Sequence, residues 1–92
     1  MSPVLETSEA AILSRVIRPE AGDWPRPAAE AILGIGFSRG DRDRMTALLE
    51  RAKAAELSSQ EAEEMEHYRH VGRLLELMKS RARRSLQTAA ND

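Results

Sequence analysis

The sequence predicts an all-α protein: three short helices packed on one long C-terminal helix. Three observations carry that expectation. Alanine, leucine, glutamate and arginine dominate the composition, as they do in helical chains. The large apolar residues recur at helical spacing rather than in alternation. Serines, prolines and glycines stand where helices would start and stop. With 92 residues there is room for one small domain, because two separate cores would each be too small to fold unaided. The expected layout is a flexible arm over 1–7, a single helical domain over 8–87 and a disordered tail over 88–92.

The first helix is expected over Glu9 to Ile17, capped by Thr7 or Ser8. Ile12, Leu13, Val16 and Ile17 make its apolar face. Pro19 ends it, since the residue before proline avoids helical angles. The stretch Pro19 to Pro27 holds three prolines, Gly22 and Trp24 and reads as a rigid loop, with Trp24 plugging one end of the core. A short second helix follows from about Pro27 to Leu33, where proline suits the first turn and Ile32 and Leu33 face inward. Gly34 and Gly36 then suggest a turn with unusual backbone angles. The third helix is expected from Arg39 to Ala55, capped by Ser38 with Asp41 three residues on. Met45, Leu48, Leu49 and Ala52 form its stripe. Ser58 and Glu61 make a full S-x-x-E capping box ahead of the last helix, Ser59 to Gln87.

That last helix would be about 43 Å long, against a diameter of about 30 Å for a compact globule of this chain length. Its apolar positions are Met65, Tyr68, Val71, Leu74, Leu75, Leu77, Met78, Ala82 and Leu86. Gly72 lies in the same face and would admit a close backbone. Of the 38 apolar residues, 14 are alanine and three aromatic, so the core is thin for one chain. Either the short helices cover this stripe, or a second chain does, or the helix end projects from a monomer. The expected partner-binding residues are Tyr68, Val71, Gly72, Leu75 and Met78.

Charge is balanced overall, 14 basic against 15 acidic residues, but graded along the last helix. Glu56, Glu61, Glu63, Glu64 and Glu66 crowd its start. Arg69, Arg73, Lys79, Arg81, Arg83 and Arg84 crowd its end. This gradient complements the helix dipole, and Glu66–Arg69 or Glu76 with Lys79 and Arg83 can pair at helical spacing. The functional alternative is a basic end, Arg73, Lys79, Arg81, Arg83 and Arg84, that meets an acidic partner or nucleic acid. No aromatic residue interleaves these cations, which argues against stacking on single-stranded bases.

Several functions are excluded or weak. There is no cysteine, hence no disulfide framework, thiolate zinc site or cysteine nucleophile. No apolar run approaches the roughly 20 residues that span a bilayer. Glu6 and Glu9, with no basic region before an apolar stretch, argue against a secretory signal, so a cytoplasmic protein is expected. Glu63, His67 and His70 share one helical face, and Glu64 with His67 makes the E-x-x-H unit of di-iron bundles. Further ligands would have to come from Glu30 or Glu50, whose spacing is not diagnostic, so solvated Glu–His pairs are the plainer reading and no cofactor or metal is expected. Arg39-Gly40-Asp41 is a chance match to an adhesion triplet, and Arg42 and Arg44 read as a solvated first turn with Asp41 and Asp43. Gly34-Ile35-Gly36 is no phosphate loop, having neither a preceding strand nor a following lysine. No serine has an orienting base, so no enzyme is expected.

Five blocks invite comparison with known proteins: Arg15-Val16-Ile17-x-Pro19, Ala31-Ile32-Leu33-x-x-x-Phe37, Asp43-Arg44-Met45-x-x-Leu48, Leu57-Ser58-x-x-Glu61-x-x-Glu64, and Tyr68-x-x-Val71-Gly72-x-Leu74-Leu75 running into Lys79-Ser80-x-Ala82-Arg83. They span Arg15 to Arg83, about three quarters of the chain. In these blocks the chain resembles a group of short, uncharacterised bacterial helical proteins, some found beside HNH-type nucleases. The resemblance implies an accessory or antitoxin-like role and no catalytic residue. The chain departs from the group at Arg81, where lysine is usual, and at Gly34 and Gly36, where a leucine-rich turn is usual. The expected function is thus a small helical protein–protein interaction module, self-associating or partnering another protein such as a nuclease. A nucleic-acid-associated protein and a small metal-binding helical protein are the alternatives.

Overall fold

A computed structural model describes residues 5–91, with the side chains of 89–91 outside the description. The described chain is all-helical: α1 Glu9–Ile17, α2 Arg26–Leu33, α3 Arg39–Lys53 and α4 Ser59–Asn91, with no strand among the described residues. Residues 5–7 are exposed and without regular structure. Residues 1–4 of the expected arm and Asp92 of the expected tail lie outside the described residues.

Local chemistry explains the helix starts. The Ser8 hydroxyl accepts from the Ala11 amide at 3.2 Å. The Ser38 hydroxyl accepts from the Asp41 amide at 3.1 Å and donates to the Asp41 carboxylate at 2.9 Å. Ser58 and Glu61 close both arms of the capping box, each at 3.0 Å. These bonds satisfy amides that a helix start leaves without partners. Pro27 sits in the first turn of α2, where its missing amide hydrogen costs nothing.

The helix ends depart from expectation. Gly34 has an ordinary right-handed conformation, and no described glycine has positive φ. The left-handed residues are Arg18, φ 53°, and Ala55, φ 57°. Ala55 completes a Schellman closure: its amide donates to the Ala52 carbonyl and the Glu56 amide to that of Arg51. Ala55, the residue after the cap Ala54, must sit left-handed for those two bonds to form, whatever its type. At the other end, α4 continues to Asn91 rather than stopping at Gln87. Alanines at 89 and 90 favour continuing the helix.

The chain forms two compact units. One comprises Gly36–Gly72, hence α3 and the first part of α4. The other comprises Met1–Ile35 and Arg73–Asp92, hence α1, α2, the proline loop and the rest of α4.

In the 36–72 unit, Leu48 is fully buried. Phe37 packs edge-on against Tyr68, ring centroids 5.9 Å apart at 69°, a favoured aromatic geometry. One side of the α3–α4 pair carries charge. Arg44 grips Glu64 through Nε at 2.6 Å and Nη2 at 2.8 Å, a two-pronged carboxylate contact. Arg51 Nε meets Glu61 at 2.8 Å. Tyr68 Oη donates to Asp41 Oδ1 at 2.8 Å. The Arg42–Arg44 turn is therefore not simply solvated, because Arg44 and Asp41 are both used in joining the two helices.

In the other unit the fully buried side chains are small: Ala29, Ala82 and Ser85. The loop docks on α4 at Ser85, whose hydroxyl accepts from the Trp24 amide at 3.1 Å and donates to the Arg81 carbonyl at 2.8 Å. Gly22 lies so near α4 that a Cβ there would meet the Arg84 carbonyl oxygen at 3.1 Å and Thr88 Oγ1 at 2.8 Å. The indole of Trp24 stacks under the Arg81 guanidinium, 4.4 Å from carbon to ring centroid. By contrast, no residue of α1 is buried, and Ile12, Leu13 and Val16 are exposed, Val16 at 69%.

Candidate functional site

The expected partner-binding residues divide between the units. Tyr68, Val71 and Gly72 belong to 36–72, and Leu75 and Met78 to the unit that resumes at Arg73. Leu75 and Met78 are half-buried, and Val71 is 46% exposed. A Cβ on Gly72 would meet only the Phe37 ring, at 3.8 Å. An aromatic edge, rather than a neighbouring backbone, therefore occupies the space that glycine leaves.

Tyr68 and Gly72 join residues of α3 around a cleft of about 370 Å³. Met45, Leu48 and Leu49 line it from α3, and Met65, Tyr68, Arg69 and Gly72 from α4. The register explains it. On α3, Leu48 is fully buried, while by helical register Met45 and Leu49, three back and one on, lie to one side of it. On α4, Met65, Arg69 and Gly72 recur at four and three residues along the same side. Arg44, Arg51, Glu61 and Glu64 hold the opposite side. Leu49 stays 47% exposed in the cleft. Methionine suits such a surface because its unbranched chain adapts to varied partners.

The acidic side is a separate hollow lined by Arg44, Gln60, Glu61, Glu63, Glu64 and His67. Two carboxylates there are held below their ordinary range: Glu64 by its hydrogen bond from Arg44, and Glu61 first by the Ser58 amide and also by Arg51. Asp41 is lowered by the Tyr68 and Ser38 hydroxyls, and the same bond pushes the Tyr68 phenol up. Glu63, His67 and His70 do not converge with other ligands. Among the described residues no group of three or more histidines and carboxylates could share a metal ion. His70 Nε2 instead lies 3.7 Å from Glu66.

The basic set is also divided by its contacts. Arg81 is engaged internally: Nη1 donates to the Ile17 carbonyl at 2.8 Å and Nη2 to Asp23 at 2.6 Å. Its side chain is 11% exposed, and Nε is buried without an acceptor. This bond lowers the Asp23 carboxyl. Arg81 is thus a structural clasp and is not presented to an outside polyanion. Arg83 reaches Glu76 at 3.4 Å and Arg69 reaches Glu66 at 2.8 Å, the within-helix pairs that their spacing suggests. Arg73 and Arg84 are exposed and Lys79 half-buried.

The sequence placed Met45, Leu49 and Met65 on apolar stripes without assigning them to a site. The available signal was that both stripes are wider than one helix–helix contact covers. No helix among the described residues is long and apolar enough to cross a membrane. No protein-family model, curated protein or solved structure matches the chain.

Proposed function

We propose that the chain is a helical protein–protein interaction module, and that the α3–α4 cleft receives an amphipathic helix. The observation that carries this reading is the cleft itself. Met45, Leu49 and Met65 form an open apolar trough between two helices whose other side is tied by ion pairs. A third helix is the natural complement of such a trough, because its i, i+3, i+4 stripe inserts where two helices diverge. No catalytic role is proposed. In the finer form of the fold, the three short helices all pack on α4. An accessory role beside a nuclease, which only the resemblance suggests, would place the nuclease's helix in the same cleft.

The test compares two baits in extracts of the native host, the wild-type chain and Leu49→Glu, with every captured protein identified, including untagged copies of the chain. Circular dichroism checks that the variant stays helical. A protein held by the wild type and lost from Leu49→Glu supports the cleft. Equal capture by both baits overturns it.

A further inference from the structure

We infer that the occupant of the cleft is α1 of a second copy of the same chain. This rests on the interaction reading above and names its partner. The chain carries both halves of a helix-in-groove contact. The groove is the trough of Met45, Leu49 and Met65, with Leu49 nearly half exposed. The helix is α1, which has no buried residue and presents Ile12, Leu13 and Val16 to solvent on one face. Those three positions follow the i, i+1, i+4 pattern that a two-helix trough accepts. An exposed apolar stripe and an exposed apolar trough both cost solvation free energy, and one contact relieves both.

Charge favours a copy over a one-signed partner. By helical register, Arg42 and Lys53 flank the trough on α3, and Glu66 and Arg69 flank it on α4. Lys53 lies 3.7 Å from Glu50, and Arg69 lies 2.8 Å from Glu66. The rim therefore carries both signs. A uniformly acidic or basic helix would meet like charge on part of it. α1 is mixed in the same way, with Glu9 in its first turn and Arg15 in its last. Made once in each direction about a two-fold axis, α1 of each copy in the other's trough, the contact is isologous and closes at two copies. The closed product is a dimer.

Sedimentation equilibrium of the full chain, up to about 100 µM, tests this with three proteins. The wild type is expected at twice 10.2 kDa. Val16→Glu on the helix and Leu49→Glu in the trough are each expected to raise the dimer dissociation constant at least tenfold. Both positions are exposed, so both variants keep the wild-type helix content. An equimolar mixture of the two variants retains one intact contact, a wild-type α1 in a wild-type trough, and is expected to associate more tightly than either variant alone. A monomeric wild type overturns the inference. So does a dimer broken by Leu49→Glu but untouched by Val16→Glu, which would place another surface in the trough. In both cases the interaction reading stands or falls separately, on whether Leu49→Glu loses a partner in the capture experiment.

Discussion

Between Gly36 and Gly72 a leucine is the buried anchor, and the helices are tied by Arg44–Glu64, Arg51–Glu61 and Tyr68–Asp41. Among the described residues of the other unit the buried side chains are two alanines and a serine, and a single arginine makes most of the polar ties. The first unit spreads its polar load over several partly exposed pairs, each individually weak. The second concentrates it in Arg81, which stacks on Trp24, reaches Ile17 and Asp23, and is nearly buried. Small buried residues allow that concentration. Ser85 takes the Trp24 amide and Gly22 lies against the Arg84 backbone, which brings the loop within reach of one guanidinium. The first unit's larger side chains instead leave a trough.

This contrast predicts unequal responses to substitution. The largest effect is expected for Leu48→Ala, a loss of about 3 kcal/mol from transfer and cavity terms, measured by urea denaturation. Hydrogen exchange would show the loss in the amides of α3 first. Arg81→Ala is expected to cost about 2 kcal/mol, since it removes the cation–π contact and leaves the Ile17 carbonyl without its partner. A cost below about 0.5 kcal/mol would show that the clasp is ordinary surface. Gly22→Ala should destabilise by about 1 to 2 kcal/mol, because the added carbon meets the Arg84 backbone. Gly36→Ala, with nothing within 4 Å of its Cβ, is the neutral control.

The smallest expected effect is a gain. Ala55→Gly should stabilise by about 1 kcal/mol, because glycine adopts the left-handed conformation without the steric cost that alanine bears. No gain in thermal midpoint would refute that account.

Acid should weaken the 36–72 unit before the other. Asp41, Glu61 and Glu64 are all held below their ordinary range there, whereas in the second unit Asp23 alone is so held among the described residues. A carboxyl lowered on folding lends stability above its unfolded pKa and loses it as pH falls through the folded one. Stability measured downward from neutral should hold until the carboxylate range and then decline. The Arg44→Met variant, lacking the Glu64 partner, should show a shallower decline. Tyr68 has the opposite sign: its raised phenol contributes below the ordinary tyrosine pKa and stops contributing in strong alkali.

How far the sequence could be read depended on distance along the chain. The helix class, the starts at Glu9, Arg39 and Ser59, and the Ser58–Glu61 box follow from residues three apart, where the backbone itself brings partners together. The pair Glu66–Arg69 is legible for the same reason, and Glu76–Arg83, seven apart, because two helical turns bring it to one face. The stripe of α3 and the first part of α4 was visible as periodicity, but its division into buried Leu48 and open Leu49 was not. Periodicity identifies a face, and the angle between two helices decides which half of it is covered.

The sequence by itself determined an all-helical chain with a long last helix, no cysteine chemistry, and caps at Ser38 and Ser58, leaving the first cap between Thr7 and Ser8. Only the tertiary structure decided that Arg81 is a clasp, through a bond spanning 64 positions to Ile17, and that Gly22 matters where Gly34 and Gly36 do not. It also decided that Arg18 and Ala55, not glycines, take the left-handed turns. The physical reason is the same in each case. Capping and helix propensity are local free energies written in neighbouring residues, whereas burial, close approach and the opening of a trough depend on which distant surfaces meet.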